Sequence, residues 1–178
     1  METDRLRLRN WRDSDAQSLY ALCCDEAMRR SGIPVWDSVE ACSDAIGFMK
    51  DDAGCKVLED RKTGDFAGYV SLGDMNRYDG YMELEYAIAK AYRGRGYATE
   101  AVRGMLACGF CKMGLEVIAA WVRSHNEGSV RVLEKCGFIL EGRLRRHARD
   151  KSDTLCYSVL REEWERMGVK PHGTCGKN

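Results

Sequence analysis

Short alternating or apolar runs and longer amphipathic segments follow one another along most of the chain. The short runs predict strands over about residues 4–9, 55–59, 66–72, 81–89, 116–122, 137–141 and 154–160. Apolar residues at helical spacing predict helices over about residues 14–30 and 39–51, over about 16 residues after the turn at 93–96, and over about 127–136. This order of elements predicts a mixed α/β layer architecture with a largely antiparallel sheet.

Capping and turn residues mark the ends of several of these elements. Asp13 or Ser14 is a suitable N-cap for the first helix, and Ser38 for the second. The turn signal at 62–65 joins two strands into a hairpin. The stretch 169–178 shows no periodicity, so we expect one domain over 1–168 and a loose tail over 169–178.

The strand over 81–89 carries two carboxylates on one face. Alternation divides this strand into Met82, Leu84, Tyr86 and Ile88 on one side and Tyr81, Glu83, Glu85 and Ala87 on the other. Carboxylates are depleted in the middle of strands. Two of them about 7 Å apart on one face raise each other's proton affinity. Glu83 and Glu85 are therefore candidate bases, although two side chains that simply face solvent in an open cleft would show the same pattern.

Composition excludes several classes of protein. The chain has 178 residues, and its 28 basic side chains balance 28 acidic ones. Zero net charge gives no global attraction to nucleic acid. We find no apolar run of the ~20 residues that a membrane helix needs and no apolar segment typical of a signal peptide. We therefore expect a cytoplasmic protein with no membrane partner.

Nine cysteines are many for a chain of this length. Their odd number and irregular spacing argue against a disulfide framework, so we expect reduced, mostly buried thiols. The pair Cys108 and Cys111 forms a lone C-x-x-C motif. A redox role remains a weaker alternative, and zinc is weaker still because no second pair follows. We expect no metal.

The strongest local signal is the glycine-rich turn at 93–96. Two glycines allow the backbone to turn tightly and to approach a ligand closely. The turn leads into a helix N-terminus, whose free N–H groups and positive dipole end favour phosphate oxygens. Arg93 and Arg95 add positive charge beside it. The nucleoside-triphosphate loop is not matched, and the dinucleotide fingerprint fails because Thr99 stands where its third glycine belongs.

The same turn matches the motif [Arg/Gln]-x-x-Gly-x-[Gly/Ala], with Arg93, Gly96 and Ala98 at its defined positions. This motif resembles the pyrophosphate loop of the GNAT acetyltransferases, which bind coenzyme A. The segment 126–138 is similar to the N-x-x-S-x-x-x-x-E-K-x-G-F segment of that superfamily. The opening residues 2–9, the stretch beginning at 141 and residues 157–164 resemble its RimJ/RimL-like branch, the ribosomal-protein N-terminal acetyltransferases.

The resemblance implies a GNAT-like domain, with helices on both faces of its sheet, that transfers acetyl directly from acetyl-CoA to an amine. In this family the central strand splays from its neighbour, and its free N–H groups bond the pantetheine and the thioester oxygen. The cofactor-binding residues implied here are Ala87, Ile88, Ala89, Arg93, Gly94, Arg95, Gly96, Tyr97, Ala98, Thr99, Asn126, Ser129, Arg131 and Lys135.

Three catalytic tasks follow from this chemistry: deprotonation of the amine, stabilisation of the oxyanion and protonation of the leaving thiolate. Glu83 occupies the position of a glutamate common in the RimJ/RimL-like branch, whereas Glu85 replaces what is often a glycine. Much of the superfamily uses a tyrosine as thiolate acid at the position of Leu133. Ser129 is the implied replacement, with a bond to its own helix backbone as the alternative.

Further assignments stay open. Asn126 either holds the cofactor or a water, caps its helix, or does both. Arg131 and Lys135 either meet the 3′-phosphate of the coenzyme or are solvated charges. The loop 31–36 forms part of the acceptor side, with Trp36 either as a wall of the acceptor pocket or as a core residue.

We therefore predict a single-domain N-acetyltransferase with acetyl-CoA as cosubstrate. Its acceptor is a primary amine: a protein N-terminus, a small amine or amino-acid derivative, or an antibiotic. The alternative is a catalytically silent coenzyme-A-binding sensor on the same fold. The basic run at 143–149 lacks interleaved aromatics, which disfavours a nucleic-acid partner. A monomer and a homodimer are equally compatible with the sequence.

Overall fold

The computed structural model describes residues 1–75 and 77–168, which form seven strands and six α-helices. The strands are β1 Leu6–Arg9, β2 Cys55–Asp60, β3 Phe66–Asp74, β4 Tyr81–Ile88, β5 Val117–Arg123, β6 Ile139–Leu144 and β7 Thr154–Leu160. The helices are α1 Ala16–Cys23, α2 Glu26–Ser31, α3 Val39–Met49, α4 Tyr97–Cys111, α5 Glu127–Lys135 and α6 Arg161–Arg166. The predicted tail 169–178 lies outside the described residues.

The strands form one sheet in the order β1-β2-β3-β4-β5-β7-β6. All neighbouring pairs are antiparallel except β4 and β5, which run parallel. The parallel pairing joins only residues 81–83 of β4 to 117–119 of β5. Beyond this point the two strands diverge. The predicted mixed, mostly antiparallel sheet is confirmed, and the divergence opens a gap at its centre.

Each face of the sheet carries its own hydrophobic cluster, because alternating strand residues point to opposite sides. On one face α4, α5 and α6 contribute Met105, Phe110, Leu133 and Trp164. On the other face α1 and α3 contribute Leu19, Leu22, Cys42 and Ile46. Helices therefore cover both faces of the sheet, as expected. No helix in the described part of the chain has the length and apolar character of a membrane span.

The prediction of one helix over 14–30 is wrong, because the chain interrupts it, and neither Asp13 nor Ser14 is the N-cap. A 3₁₀ turn at Asp13–Asp15 precedes α1, which ends at Cys23. Asp25 then begins α2 by accepting hydrogen bonds from the backbone N–H groups of Ala27 (2.9 Å) and Met28 (3.3 Å). The interruption places Asp25 at the N-terminus of α2, where its carboxylate pairs with Arg93.

Helix α6 was not predicted, since the sequence pattern ended the domain on the last strand. The Glu163 carboxylate caps this short helix by accepting from the Leu160 N–H at 2.9 Å. Trp164 packs against Phe110, with ring centroids 5.3 Å apart. A helix of six residues is too short for its spacing to stand out, so its burial against α4 is the feature that stabilises it.

Glycine is required at position 68, where β3 pairs closely with β4. Its φ is +144°, and an added Cβ would overlap the carbonyl oxygen of Ala87. We expect Gly68→Ala to destabilise the fold by about 3 kcal/mol, which lowers Tm by about 6–12 °C. Gly73→Ala in the same strand is the matched control, because a Cβ there meets nothing within 4 Å. Equal Tm losses in the two variants would contradict the steric explanation.

Candidate active site

A cleft of about 720 Å³ lies where β4 and β5 diverge. The second half of β4 and the end of β5 form its two sides, the turn before α4 closes one end, and the N-terminal part of α5 borders it. The cleft collects Glu83, Glu85 and Ser129, together with every predicted cofactor-binding residue except Ala89 and Arg95. Among the described residues, no three His, Cys, Asp or Glu side chains cluster as a metal site requires.

The glycine turn places a helix N-terminus at the end of the cleft. Gly94 and Gly96 both have positive φ angles, +70° and +82°, and Gly96 is the N-cap of α4. Glu100 N–H donates to the Gly96 carbonyl at 3.1 Å. The N–H groups that precede it, those of residues 97–99, have no intrahelical acceptor. Free N–H groups at a helix N-terminus are suited to an anion, which is the kind of ligand that the sequence predicts for this turn.

Arg5 holds this turn from outside the cleft, a role that sequence reasoning missed. Its guanidinium donates to the Arg95 carbonyl (2.8 Å), pairs with Glu100 (2.7 Å) and lies 4.3 Å from the centre of the Tyr97 ring. The Tyr97 hydroxyl donates to Asp60 Oδ2 at 2.7 Å. The Tyr97 side chain therefore points into the protein, and only its backbone remains available for a cofactor. No local sequence signal links residue 5 to residue 100.

The sequence predicts that both arginines of the turn offer free positive charge, but in the structure both already have hydrogen-bond partners. Arg93 donates through Nε to the Ile88 carbonyl (2.8 Å) and through Nη1 to both carboxylate oxygens of Asp25 (3.2 Å each). Its Nη2 is buried and has no hydrogen-bond partner among the described residues. Arg95 Nη1 instead contacts the Ala91 carbonyl at 3.3 Å. Arg93 thus ties β4, the turn and α2 together.

The backbone of β4 offers one of the three N–H groups predicted for the cofactor. Ala89 N–H donates to the Ala67 carbonyl at 2.9 Å, so it is engaged with the β3 side. Alternation along the strand turns the Ala87 N–H to the same side. The Ile88 N–H therefore faces the cleft. The expectation for Ala87 and Ala89 is corrected, because the pairing with β3 continues past the point where β5 departs.

The two carboxylates share the cleft but have different partners. Burial raises the pKa of Glu83 above the ordinary value for glutamate, and the charge of Glu85 raises it further. Burial also raises the pKa of Glu85, against the opposing effect of the Tyr69 hydroxyl, which donates to Glu85 Oε1 at 2.7 Å. A carboxylate with a raised pKa suits proton transfer near neutral pH better than an ordinary one. Glu83 has no such bond from Tyr69, but the Trp121 backbone donates a hydrogen bond to it, which opposes the rise in its pKa.

Ser129 lies in the first turn of α5. Its N–H donates to Asn126 Oδ1 at 3.2 Å, so Asn126 caps the helix while it also lines the cleft. The Ser129 hydroxyl lies 2.7 Å from the hydroxyl of Tyr86 on β4. This contact was missed, because alternation grouped Tyr86 with the apolar face of its strand. Leu133, at the position of the superfamily's tyrosine, is buried.

The remaining predicted contacts lie at the rim. Arg131 pairs with Glu127 at 3.2 Å, and both side chains are exposed. Such a pair contributes little to stability and leaves Arg131 free to rearrange. Lys135 also borders the cleft. In the segment predicted to form the acceptor side, Ser31, Gly32 and Ile33 line the cleft beside Met28, whereas Trp36 packs against the cluster formed by α1 and α3.

Comparison with known proteins agrees with this architecture. Residues 5–139 match the Acetyltransferase (GNAT) domain family. The uncharacterized N-acetyltransferase YoaA of Bacillus subtilis (strain 168) is 31% identical over 170 residues, which cover 90% of this chain and 96% of YoaA. A GNAT-family acetyltransferase from Bacillus anthracis superimposes with a TM-score of 0.83 at 22% identity, covering 91% of this chain and 98% of that one.

A spermidine N-acetyltransferase from Vibrio cholerae, in complex with CoA and spermine, superimposes with a TM-score of 0.81. It is 21% identical and covers 92% of this chain and 99% of that one. At such identities the two solved structures support the fold alone.

The fold and the cleft define a transferase that takes its acyl group from a coenzyme A thioester. The chain belongs to the GNAT acetyltransferase family, and its activity class is that of an acetyl-CoA-dependent N-acetyltransferase.

Proposed function

We propose that this protein, a member of the RimJ/RimL-like branch, acetylates a primary amine by direct transfer within a ternary complex in the central cleft. The observation that carries the proposal is the cleft itself: an anion-binding helix N-terminus at one end and two carboxylates of raised pKa near the point where β4 and β5 part. The branch rests on the sequence segments 2–9 and 157–164 and on the stretch beginning at 141, all of which lie outside the pyrophosphate loop.

The proposed pose of acetyl-CoA follows from the groups that the cleft offers. The N–H groups of residues 97–99 and the turn at 93–96 receive the pyrophosphate. Arg131 and Lys135 face the 3′-phosphate. The Ile88 N–H, turned away from β3, bonds the pantetheine or the thioester oxygen, where it stabilises the oxyanion that forms during transfer.

The proposed proton transfers use two side chains, one on β4 and one on α5. Glu83 takes a proton from the acceptor ammonium, directly or through one water, and so frees the nitrogen lone pair to attack the carbonyl carbon. A C–N bond forms, and the nitrogen gives its second proton to water. The C–S bond then breaks, and the electron pair of that bond remains on sulfur. Ser129 Oγ–H then gives a proton to the thiolate. Glu85 supports this by raising the pKa of Glu83.

The acceptor enters as an ammonium in this proposal. Glu83 and Glu85 provide negative charge, and Trp121, which is 37% exposed, lines the same cleft. Carboxylates and an indole face both attract cations. Polyamine acetylation is stated for the Vibrio cholerae neighbour, and the branch suggests protein N-termini, so both are included among the acceptors to be tested.

The experiment is a thiol-release assay with acetyl-CoA across a panel of amines. The panel contains spermidine, a peptide with a free N-terminus, an amino-acid amide and an aminoglycoside, with mass spectrometry of each product. We expect thiol release with one class, matched mole for mole by the N-acetylated product. Tight binding of acetyl-CoA without release on any amine would instead support the silent sensor.

Ser129→Ala is expected to lower kcat by about 10²-fold, the range for loss of one general acid. Its KM for acetyl-CoA should change less, because the hydroxyl acts mainly once charge develops on sulfur. Asn126→Ala serves as the comparison, since it removes the cap of the same helix and leaves the hydroxyl in place. A Ser129→Ala enzyme with unchanged kcat over the pH plateau would contradict the assigned role.

A further inference from the structure

Tyr86 reaches across the cleft from β4 and contacts Ser129 twice. Its hydroxyl lies 2.7 Å from Ser129 Oγ and 3.4 Å from the Ser129 carbonyl oxygen. Its ring packs against the hydrophobic cluster beneath α4 and α5. The hydroxyl is thus the polar tip of a largely apolar residue, aimed at one residue of the neighbouring helix.

The chemistry of the two hydroxyls decides which of them donates. A phenol is more acidic than an aliphatic alcohol, so it is the stronger donor, and the serine oxygen is the better acceptor. Burial raises the pKa of Tyr86 to about 12, although the hydrogen bond to Ser129 opposes this shift. Tyr86 therefore keeps its proton at any physiological pH and can act as a permanent donor.

When Tyr86 donates to Ser129 Oγ, the hydroxyl proton of Ser129 is directed away from Tyr86. Ser129 is also fixed through its N–H, which donates to Asn126 Oδ1. Since Ser129 lines the cleft, the space between β4 and β5 is open to that proton. Without Tyr86, the hydroxyl would be able to rotate among its staggered positions.

We propose that Tyr86 is a positioning residue that donates a hydrogen bond to Ser129 Oγ and thereby directs the Ser129 proton towards the sulfur of the bound thioester. This inference rests on the proposed function of the cleft. The strand that carries Tyr86 also carries Ile88 two residues later, whose N–H faces the same cleft. One strand thus sets the positions of both the oxyanion donor and the thiolate acid.

The proton balance needs no ionisation of Tyr86. When the C–S bond breaks, Ser129 Oγ–H transfers its proton to sulfur, and the Tyr86 hydrogen bond stabilises the negative charge that develops on Oγ. Ser129 then regains a proton from solvent water as the thiol departs. The nitrogen loses two protons on going from ammonium to amide, one to Glu83 before attack and one to water after the C–N bond forms, and both reach solvent. Because Ser129 takes only one proton back from solvent, each turnover releases one net proton.

The first test needs no acceptor amine and compares binding of CoA with binding of desulfo-CoA at about pH 9, where a thiol is largely ionised. We expect the wild type to bind CoA about tenfold more tightly, the order for one hydrogen bond to a charged group. Ser129→Ala should remove this preference, Tyr86→Phe should reduce it to about twofold, and the double variant should match Ser129→Ala. Because both ligands meet the same protein, a modest loss of stability cancels in the ratio.

The second test is a double-mutant cycle in kcat with whichever amine is accepted. Tyr86→Phe should lower kcat about tenfold, yet have no further effect once Ser129 is alanine. Tyr81→Phe is the control, since Tyr81 lies on the same strand and packs edge-on against Tyr78, with ring centroids 5.5 Å apart.

Either of two results would overturn the inference. One is a Tyr86→Phe variant that keeps the wild-type preference for CoA. The other is a double variant whose kcat falls by the product of the two single-variant factors, so that Tyr86→Phe and Ser129→Ala act independently. A purely structural role for Tyr86 would give that result. Absence of turnover with every amine would count against the proposed function instead, and the binding ratio would still report on Tyr86.

Discussion

Replacement of Gly96 by aspartate is expected to weaken acetyl-CoA binding at least a hundredfold. Gly96 caps α4 with a φ of +82°, beside the N–H groups that we propose as the pyrophosphate site. A carboxylate there repels the phosphates and competes for the same N–H groups. A hundredfold change in Kd corresponds to about 2.7 kcal/mol, within the several kcal/mol that close like charges cost. Titration calorimetry gives Kd directly.

Two matched variants separate charge from backbone strain. Gly96→Ala imposes the same positive φ without the charge, so its Kd should rise much less than that of Gly96→Asp. Gly64→Asp places the same side chain at a similar φ of +78° in the turn between β2 and β3, with nothing within 4 Å of the new Cβ. It should lower Tm and leave Kd unchanged. A Kd for Gly96→Asp within threefold of wild type would show that the phosphates bind elsewhere.

Glu83→Gln is expected to lower kcat/KM by about 10²–10³-fold near neutral pH, the range for removal of a general base. Glutamine keeps the shape of the side chain but takes no proton. Because burial and the charge of Glu85 raise the pKa of Glu83, wild-type kcat/KM should rise with pH through a value above that of ordinary glutamate. The Gln variant should lack this limb of the pH profile.

The variant Glu85→Gln tests whether Glu85 acts through the pKa of Glu83 or is itself the base. Without the negative charge of Glu85, the pKa of Glu83 falls towards its ordinary value. The acid limb of the kcat/KM profile should therefore move to lower pH while the plateau remains largely intact. A small, pH-independent loss in Glu83→Gln would point to a structural role for Glu83. A plateau lost in Glu85→Gln would indicate that Glu85 is the base.

Features that depend on neighbouring residues in sequence could be predicted. Three such local features are present in the structure: the helix N-terminus that follows Gly94 and Gly96, the cap at Ser38, and the hairpin between β2 and β3. The interrupted first helix was not foreseen. Its break depends on Asp25, which both caps α2 and pairs with Arg93, 68 residues away.

The candidate site shows the same division. Glu83, Glu85 and Ser129 were named from strand alternation and family motifs, and the fold brings them to one cleft. The engagement of Arg93 with Asp25 and the contact of Tyr86 with Ser129 depend on how α2 and α5 pack beside β4. Alternation indicates only that Tyr86 shares a face with apolar residues. It contains no information on what lies beyond the tip of the side chain.

The most direct test of the central claim is a thermal melt of the wild-type protein with and without acetyl-CoA at 100 times its Kd. If the cleft between β4 and β5 holds acetyl-CoA, the ligand should add about 2.7 kcal/mol and raise Tm by about 5–10 °C. The Gly96→Asp variant should show no such rise. An unchanged Tm for the wild type at saturating acetyl-CoA would contradict the assignment of the cleft.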